Sequence, residues 1–369
     1  RLHQVLDLAV SRSQILLFTG GLGPTPDDLT TAAIAAYFQA PLVERPEVIQ
    51  DITTKFAQRR RQMTENNRKQ ALLPDGAEIL PNVTGTAPGM IWSPRPGLQI
   101  LTFPGVPSEM HPMWCDTAVP LLRSQGWGES LIYSQVLRFW GIGESTLATK
   151  VSRFFELNNP TVAPYASAGE VRLRLSTRAA SEADALEVIT PIATQIKQIA
   201  GPDYFGQDDD TLASVVGQLL TERGQTVAVA ESCTGGGLGV MLTETPGSSR
   251  YFLGGVISYA NAVKEQLLQV AADTLNQSGA VSEPTAKQMA LGVQRLLGAD
   301  WGVSITGIAG PDGGTDSKPV GLVYVGLAGP GEQVDIFEYR LGGRDRATIR
   351  QRTACHALDR LRRRLQASG

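Results

Sequence analysis

The chain has 369 residues, more than one hydrophobic core usually supports, so we expect two or three domains. Hydrophobic residues make up 42% of the chain and charged residues 19%, a balance typical of a globular protein. The net charge of −3 argues against a dominant nucleic-acid surface, and no apolar run is long enough to span a membrane.

Residues 1–128 are predicted to form a first domain in which strands alternate with helices. Residues 14–18 are a short apolar run, residues 29–38 and 46–60 have helical periodicity, and Leu98–Phe103 reads as a second strand. This alternation predicts a parallel sheet, in which ligands bind at the loops that follow the carboxyl ends of the strands.

The loop at residues 19–28, Thr-Gly-Gly-Leu-Gly-Pro-Thr-Pro-Asp-Asp, carries most of the chemistry of this domain. Its glycines let the backbone approach an anion, and two adjacent carboxylates suit a hard divalent cation. The alternative is a tight turn whose carboxylates cap the following helix. The candidates are Gly20, Gly21, Gly23 and Thr25 for substrate, and Asp27 and Asp28 for metal.

Two further glycine–proline loops, residues 85–89 and 104–110, follow later in the same region, with polar residues at 66–69 ahead of the first. Each loop alone is more often a turn than a site, but their co-occurrence favours a ligand crevice. The candidate substrate-binding residues are Asn67, Gly85, Thr86, Gly105 and Glu109.

Residues 129–205 are predicted to form a small α+β module with little chemistry of its own. Residues 171–177 alternate apolar and polar side chains, as a half-exposed strand does, and residues 182–199 have the pattern of one amphipathic helix. Residues 201–203 and 207–210 read as a turn and a linker to the next domain.

The third domain is predicted to span residues 206–369. Its first candidate functional motif is at 227–237, where an apolar strand runs into a Ser-x-Thr-Gly-Gly turn. Ser232 is a candidate nucleophile at the strand end, and its alternative role is to bind phosphate or cap a helix. Thr234, Gly235 and Gly236 are candidate substrate-binding residues of this turn.

Ser248 and Ser249 are further candidate nucleophiles, and Ser248 is also a candidate substrate-binding residue; the alternative for both is turn chemistry or helix capping. Lys264 is the candidate base, provided that burial or a cationic neighbour lowers the pKa of its amine. Tyr259 could relay a proton or orient the serine. The alternative for Lys264 is a solvated lysine near the start of a helix, and the spacing leaves the choice of serine open.

The cysteines and histidines offer no conventional alternative to this arrangement. Cys115, Cys233 and Cys355 have neither metal-ligand spacing nor a disulfide pattern, which predicts a reducing cytoplasm. We expect Cys233 to pack rather than react. His356 lies in a predicted helix at 347–365, where a packing or surface role is expected.

Thr306 ends a further predicted strand and opens a glycine-rich loop at 307–314, which could cradle phosphate or supply oxyanion donors. Gly307 and Gly310 are the candidate substrate-binding residues there. Arg346, before the last helix, suits bidentate contacts to phosphate or carboxylate. The basic cluster that ends the helix is predicted to be a solvated helix terminus and comprises Arg360, Arg362, Arg363 and Arg364.

Taken together, these motifs resemble the CinA family of competence/damage-inducible proteins, over essentially the whole chain. The resemblance rests on the loops at 19–28, 85–89 and 104–110, the serine motif at 230–236, the segment Tyr-x-Asn-x-x-Lys at 259–264, and the loop at 306–314. It implies a molybdopterin-binding-like first domain, associated in the family with metal-dependent ADP-ribose pyrophosphatase activity. It implies a KH-like α+β middle domain and a C-terminal α/β amidohydrolase domain.

The C-terminal domain is similar to a nicotinamide-nucleotide amidase, which converts nicotinamide mononucleotide to nicotinic acid mononucleotide and ammonia. The resemblance implies no cofactor for the amidase, and a divalent cation (Mg²⁺, Mn²⁺ or Co²⁺), with potassium as a further ion, for the pyrophosphatase. It also implies a homodimer in the cytoplasm. The residues that match the amidase pattern are Ser232, Ser249, Tyr259, Lys264, Thr306 and Arg346, and those that match the pyrophosphatase loop are Asp27 and Asp28.

Two departures bear on these expectations. The family begins with a strand and a helix that have no counterpart before residue 1, so we expect the first sheet to lack its first strand. RNA binding by a KH domain needs a Gly-x-x-Gly clamp, and Gly-Ile-Gly-Glu at 141–144 does not have that spacing, so direct nucleic-acid binding is not expected. The alternatives to an enzyme are a non-catalytic pterin- or nucleotide-binding module and a scaffold for DNA-damage or competence partners.

Overall fold

A computed structural model describes residues 2–128, 131–167 and 169–367. The chain divides into two compact units, residues 1–129 and 130–369. No helix of the described ranges is both long enough and apolar enough to cross a bilayer.

The first unit contains a four-stranded sheet, a separate two-stranded ribbon and short helices. Its helices are α1 (Leu2–Arg12), α2 (Thr30–Tyr37), α3 (Pro46–Gln58), α4 (Pro107–Met113) and α5 (Val119–Ser124), with a π-helical turn at Trp114–Ala118 and a 3₁₀ helix at Glu65–Ala71. Its strands are β1 (Ile15–Thr19), β2 (Leu42–Glu44), β3 (Leu72–Pro74), β4 (Glu78–Leu80), β5 (Gly89–Arg95) and β6 (Leu98–Phe103).

The sheet of the first unit is mixed, with strand order β1-β6-β5-β4. The predicted parallel arrangement is confirmed for β1 and β6 and is wrong for the other pairs, which are antiparallel. The reason is the connection between β5 and β6, which is too short for a crossover and suits only a hairpin. The carboxyl ends of β1 and β6 still meet at one edge, where Gly20 N–H donates to the Phe103 carbonyl at 2.8 Å.

The second unit begins with an antiparallel sheet of order β10-β7-β9-β8. Its elements are β7 (Leu131–Trp140), α6 (Glu144–Val151), β8 (Thr161–Ser167), β9 (Glu170–Ala179), α7 (Glu182–Ala200) and β10 (Tyr204–Gln207), with 3₁₀ turns at Ser152–Phe154 and Gly201–Asp203. The predicted strand and helix are confirmed. The linker prediction is wrong at residue 207, because β10 pairs with β7 as the edge strand of this sheet.

The rest of the second unit is built around a five-stranded sheet of order β12-β11-β13-β14-β15. Its strands are β11 (Val227–Glu231), β12 (Phe252–Ile257), β13 (Trp301–Gly307), β14 (Leu322–Ala328) and β15 (Val334–Arg340). Its helices are α8 (Leu212–Arg223), α9 (Gly237–Thr243), α10 (Asn261–Leu268), α11 (Ala272–Ser278), α12 (Glu283–Leu297) and α13 (Arg346–Ala367), with 3₁₀ turns at Ser248–Arg250 and Pro330–Glu332.

Strands β12, β11 and β13 run parallel, whereas β14 and β15 are antiparallel to their neighbours. Every residue of β11 is buried, which explains its nearly unbroken apolar sequence. The carboxyl ends of the three parallel strands therefore meet at one edge, where α/β proteins place their ligands.

The basic end of α13 is not the solvated terminus that its sequence predicts. Arg362 is 0% exposed, pairs with Asp359 at 2.6 Å and donates to the carbonyls of Pro202 and Tyr204. Arg363 bonds Asp203 and Asp359. These bonds satisfy a buried guanidinium and join α13 to the segment that leads into β10.

Candidate active site

The ends of the three parallel strands bring the predicted chemistry of the third domain together. Ser232 follows β11, and its N–H donates to the Ile305 carbonyl of β13 at 3.0 Å. Ser258 follows β12, and its N–H donates to the Glu231 carbonyl at 2.7 Å. These backbone bonds continue the sheet by one residue, so the serine of the turn lies directly between the two neighbouring strand ends.

The turn after Ser232 depends on two glycines with left-handed backbone. Gly235 and Gly236 have φ of 58° and 94°, and α9 starts at the next residue. The Glu231 carboxylate, which the sequence analysis did not single out, accepts backbone N–H bonds from this loop and from the start of α9. Cys233 is buried, as expected of a packing cysteine, and burial raises the pKa of its thiol to about 11.

Lys264 lies in the middle of α10 and is 1% exposed, so the solvated alternative is wrong. Its Nζ donates to the Ser258 carbonyl at 2.6 Å and to the Tyr259 carbonyl at 3.4 Å, and lies 3.5 Å from Ser232 Oγ. Burial lowers the pKa of the amine from its usual 10.5, with a smaller opposing effect of Cys233. When this amine is neutral and donates both of its N–H groups to these carbonyls, its lone pair is left for the Ser232 hydroxyl.

Tyr259 and Arg346 form a second polar group near this edge. The Tyr259 side chain is 62% exposed, and its hydroxyl accepts a bond from Arg346 Nη2 at 3.3 Å. Arg346 Nη1 donates to the Gly310 carbonyl at 2.7 Å. Tyr259 therefore approaches Lys264 through its carbonyl, whereas its hydroxyl lies at the arginine.

Thr306 and the following loop border Ser232 on the side of β13. Thr306 is fully buried, and its hydroxyl donates to the Ala280 carbonyl at 2.7 Å. Gly307 has no room for a side chain, because a Cβ there would lie 2.3 Å from Val323 Cγ1. Gly310, with φ of 74°, presents its carbonyl to Arg346.

Ser248 and Ser249 lie at the opposite, amino-terminal ends of the parallel strands. They form the 3₁₀ turn that precedes β12, and the first residue of β12 pairs with Val227, the first residue of β11. Ser232 follows the last residue of β11, so Ser249 is roughly 15 Å from it, at a rise of about 3.3 Å per strand residue. No hydrogen bond joins Ser249 to Lys264 within the described part of the chain.

Sequence reasoning missed Arg350, one helical turn after Arg346 on α13. Its Nη2 donates to the Thr234 carbonyl at 2.7 Å, so it holds the serine turn from the helix side. The Thr234 hydroxyl is buried and has no hydrogen-bond partner among the described residues. The signal that could have found Arg350 is its i, i+4 spacing from Arg346, which places both side chains on one helix face.

His356 belongs to a different environment, as expected of a packing histidine. It stacks on Tyr339 at 4.1 Å, and Trp140 Nε1 donates to its Nδ1 at 3.3 Å. Burial lowers the pKa of His356 to about 4. It is therefore neutral at pH 7 and takes no part in the serine–lysine group.

In the first unit, Thr25 gathers both carboxylates of the predicted metal loop. Its hydroxyl contacts Asp27 and Asp28, and its N–H donates to Asp28 at 2.9 Å. The Thr25 hydroxyl bond is the largest cause of a lowered pKa for Asp28. Lys69 Nζ donates to the Thr25 carbonyl at 2.6 Å.

Gly20 and Gly21 connect this loop to neighbouring residues. The Thr30 side chain donates to the Gly20 carbonyl at 2.8 Å, and Thr30 N–H to the Gly21 carbonyl at 3.1 Å. A small cavity beside the loop is lined by both loop and neighbouring residues, namely Gly21, Gly23, Asp28, Lys69 and Gln70 among others.

The remaining candidates of the first unit form two hydrogen-bonded groups. Asn67 donates to Gln70, which reaches the Thr86 hydroxyl at 3.4 Å. Glu109 accepts a bond from Asn82 at 2.7 Å and lies so close to Gly85 that a Cβ there would clash at 1.9 Å. Gly105 lies against Gly20, with 3.4 Å between the Gly20 Cα and a Cβ placed on Gly105.

Asp27 and Asp28 are the two carboxylates that this loop offers a cation. Among the described residues, no group of three or more histidine, cysteine, aspartate or glutamate side chains is placed to hold a metal ion. Two carboxylates fit the way Mg²⁺ is commonly bound, with substrate phosphate oxygens and water completing its shell.

Fold and site together define a multidomain α/β protein in which a buried lysine lies beside a serine at the C-terminal sheet. Three family models match the chain: a probable molybdopterin binding domain over residues 1–124, the damage-inducible protein CinA KH domain over 134–206, and the CinA C-terminal domain over 209–365. The chain is 64% identical to a CinA-like protein of Gloeothece citriformis over 366 residues, 99% of this chain and 88% of that protein. The chain belongs to the CinA family.

Further similarities are of the same kind. A CinA-like protein of Nostoc punctiforme is 65% identical over 366 residues, which are 99% of this chain and 88% of that protein. The crystal structure of competence/damage inducible protein CihA from Agrobacterium tumefaciens has 42% sequence identity and a TM-score of 0.40, and covers 41% of this chain and 91% of that chain.

Proposed function

We propose that the second unit hydrolyses the carboxamide of nicotinamide mononucleotide to nicotinic acid mononucleotide and ammonia. The observation that supports this most is the buried Lys264 amine, 3.5 Å from the Ser232 hydroxyl and with a lowered pKa. A serine needs a base before it can attack a carbonyl, and none of the hydrogen bonds of the described residues joins this serine to a histidine. The choice of nicotinamide mononucleotide as the substrate rests on the resemblance to nicotinamide-nucleotide amidases.

In the proposed reaction, Ser232 Oγ attacks the carboxamide carbon while Lys264 takes the hydroxyl proton. The C–N bond then breaks, and Lys264 passes that proton to the leaving ammonia. Water attacks the resulting ester, Lys264 accepts a proton from the water, and Ser232 recovers it as the acid departs. One water is consumed and one ammonia is released, so no cofactor is needed.

The oxyanion donors are proposed to be the N–H groups that follow the nucleophile, those of Cys233 and Thr234. Gly235 N–H donates to the Ser232 carbonyl and Gly237 N–H to the Thr234 carbonyl, so neither of these is available. Thr234 N–H has no acceptor among the described residues. A donor directly after the nucleophile is the usual arrangement at a strand-to-helix turn.

The 5′-phosphate is proposed to bind Arg346 and the loop at 307–314. Arg346 is exposed, and none of the ion pairs of the described residues involves it, so its charge is available to an anion. Its two nitrogens bridge Tyr259 and Gly310, which places the guanidinium between the two loops.

Ammonia release from nicotinamide mononucleotide by the full chain, with and without a chelator, tests this function. We expect release in both cases, since no step of the proposed reaction involves a metal. Folded protein that releases no ammonia would contradict the amidase and favour a non-catalytic nucleotide- or pterin-binding module or a scaffold. Release that stops with the chelator would contradict the serine–lysine mechanism.

A second candidate function, metal-dependent hydrolysis of ADP-ribose by the first unit, is favoured by the pairing of Asp27 and Asp28 through Thr25. These carboxylates would hold the divalent cation, which would neutralise the pyrophosphate when bound. The lowered pKa of Asp28 favours the charged form of that carboxylate.

Asp28→Asn is expected to reduce Mg²⁺-dependent release of AMP from ADP-ribose by roughly 10- to 100-fold, because one cation ligand loses its charge. The matched control is Asp51→Asn, which removes a carboxylate of the same unit that pairs only with Lys55 on the surface of α3. Equal activity of the two variants would remove Asp28 from the cation site. Ammonia release should be unaffected in both.

A further inference from the structure

We propose that Glu231 is an internal anion of the nucleophile loop: it positions Ser232 and occupies backbone N–H groups that a substrate phosphate would otherwise bind. This inference rests on the amidase function proposed for the same site. Glu231 touches neither substrate nor the reacting atoms, so its role is that of a positioning residue.

The carboxylate of Glu231 accepts three backbone N–H bonds, from the loop and from the first turn of α9. Oε2 accepts N–H bonds from Gly236 at 3.1 Å and Leu238 at 3.0 Å, and Oε1 accepts one from Gly239 at 2.9 Å. The residue is 1% exposed. None of the ion pairs of the described residues includes it, and the hydrogen bonds to its carboxylate come from backbone N–H groups.

The same residue also connects the nucleophile to the base. Glu231 is bonded covalently to Ser232, and its carbonyl accepts the Ser258 N–H at 2.7 Å. The Ser258 carbonyl in turn accepts the closest hydrogen bond of Lys264, at 2.6 Å. The side chain of Glu231 thus fixes the loop on one side of Ser232, and its main chain fixes the lysine on the other.

This arrangement changes how the glycine-rich turn is understood. A strand that runs into a glycine turn and a helix is typical of a phosphate cradle, whose N–H groups point at the anion. Here the chain's own carboxylate already fills that position. The substrate phosphate is therefore expected to bind Arg346 and the loop at 307–314. The serine turn then provides the nucleophile and the oxyanion donors.

The test is Glu231→Gln, which keeps the shape of the side chain but turns an amide N–H₂ toward N–H donors. We expect kcat for nicotinamide mononucleotide to fall by about 10²-fold, the scale of a 1 Å misplacement of a reacting group. KM should stay within about threefold, because phosphate binding is not disturbed.

Asp300→Asn is the matched control, since Asp300 ties the opposite ends of the same two strands. It accepts bonds from the N–H and hydroxyl of Thr226 at 2.7 and 2.8 Å, next to the starts of β11 and β13. We expect this variant to lose thermal stability without loss of kcat. If both variants lower kcat equally at equal loss of Tm, Glu231 has a merely structural role and the proposal is wrong.

Two further outcomes would overturn the proposal. A Glu231→Gln variant with raised KM and unchanged kcat would mean that the loop binds the phosphate. Amide hydrogen exchange of the wild-type chain gives a readout that needs neither a variant nor turnover: Gly236, Leu238 and Gly239 should exchange slowly and Thr234 fast. Fast exchange at the first three would contradict the internal anion, whereas absence of ammonia release would contradict only the amidase function.

Discussion

Replacing Lys264 with methionine is expected to reduce ammonia release from nicotinamide mononucleotide by roughly 10²- to 10⁴-fold, the range typical of a lost general base. Methionine fills the buried space of the lysine stem without its amine. The nearest described group that could take over, the Ser258 carbonyl, cannot accept a proton from Ser232 and return it to ammonia. Substrate affinity should persist, because Arg346 and the loop at 307–314 remain in place.

The pH dependence of kcat follows from the state of the same amine. Burial lowers the pKa of Lys264 below 10.5, and the base must be neutral, so kcat should rise with pH through that lowered pKa. The same amine affects stability in the same direction. The unfolded chain binds this proton more tightly, so the contribution of Lys264 to the free energy of unfolding is greatest above about pH 10.5 and decreases as the pH falls to the native pKa. Both dependences should disappear in Lys264→Met.

Lys287→Met is the matched control, because it makes the same substitution at an exposed position of α12. Its activity should equal that of the wild-type chain. Circular dichroism and thermal unfolding must show that Lys264→Met keeps its fold, since the Ser258 carbonyl loses its donor, at about 1–3 kcal/mol. A folded Lys264→Met variant that retains full turnover would rule out the lysine base.

The strands and loops that carry the site were predictable because they obey local rules. The strand Leu98–Phe103 and the apolar run ahead of Ser232 have periods and lengths that few other structures allow. Glycine-rich turns at strand ends are also local signals. These patterns predicted correctly that Ser232 follows a strand and that Thr306 lies at the end of another. They placed Lys264 at the start of a helix, whereas it lies in the middle of α10.

Burial of charge was not predictable from the same patterns. Lys264 and Arg362 have sequence neighbours typical of helix surfaces, yet both are buried. Lys264 donates to the Ser258 carbonyl of the segment before its helix, and Arg362 donates to the distant Pro202 carbonyl. A helical period tells which positions share a face but not what that face meets. For this reason the pattern favoured a solvated lysine, and tertiary contacts decided otherwise.

Distance across the sheet was the other missing quantity. Ser249 is nearer to Lys264 in sequence than Ser232 is. Strand β12 lies between Ser249 and Lys264, however, and places them at opposite ends of the parallel strands. Glu231 was overlooked for a related reason: a single acidic residue at the end of an apolar strand reads as the start of a loop, unless its partners are known.

Ser232→Ala is expected to abolish ammonia release, with a loss of roughly 10⁴-fold or more, whereas Ser249→Ala should retain activity within about threefold. Both substitutions remove a serine hydroxyl. Ser232 lies beside Lys264, whereas Ser249 lies at the opposite end of the parallel strands. Each therefore serves as the control for the other. Thermal unfolding of both variants separates loss of the nucleophile from loss of the fold.

The chemistry of the intermediate makes this comparison decisive. If Ser232 attacks the carboxamide, rapid quenching of wild-type turnover should give a chain that carries the nicotinic acid mononucleotide acyl group on the peptide containing Ser232, detectable by mass spectrometry. Hydroxylamine should intercept this ester and increase release of the hydroxamate. If Lys264 instead activates water directly, no acylated peptide should form and Ser232→Ala should keep most of its activity, because water can approach the amine in place of the hydroxyl.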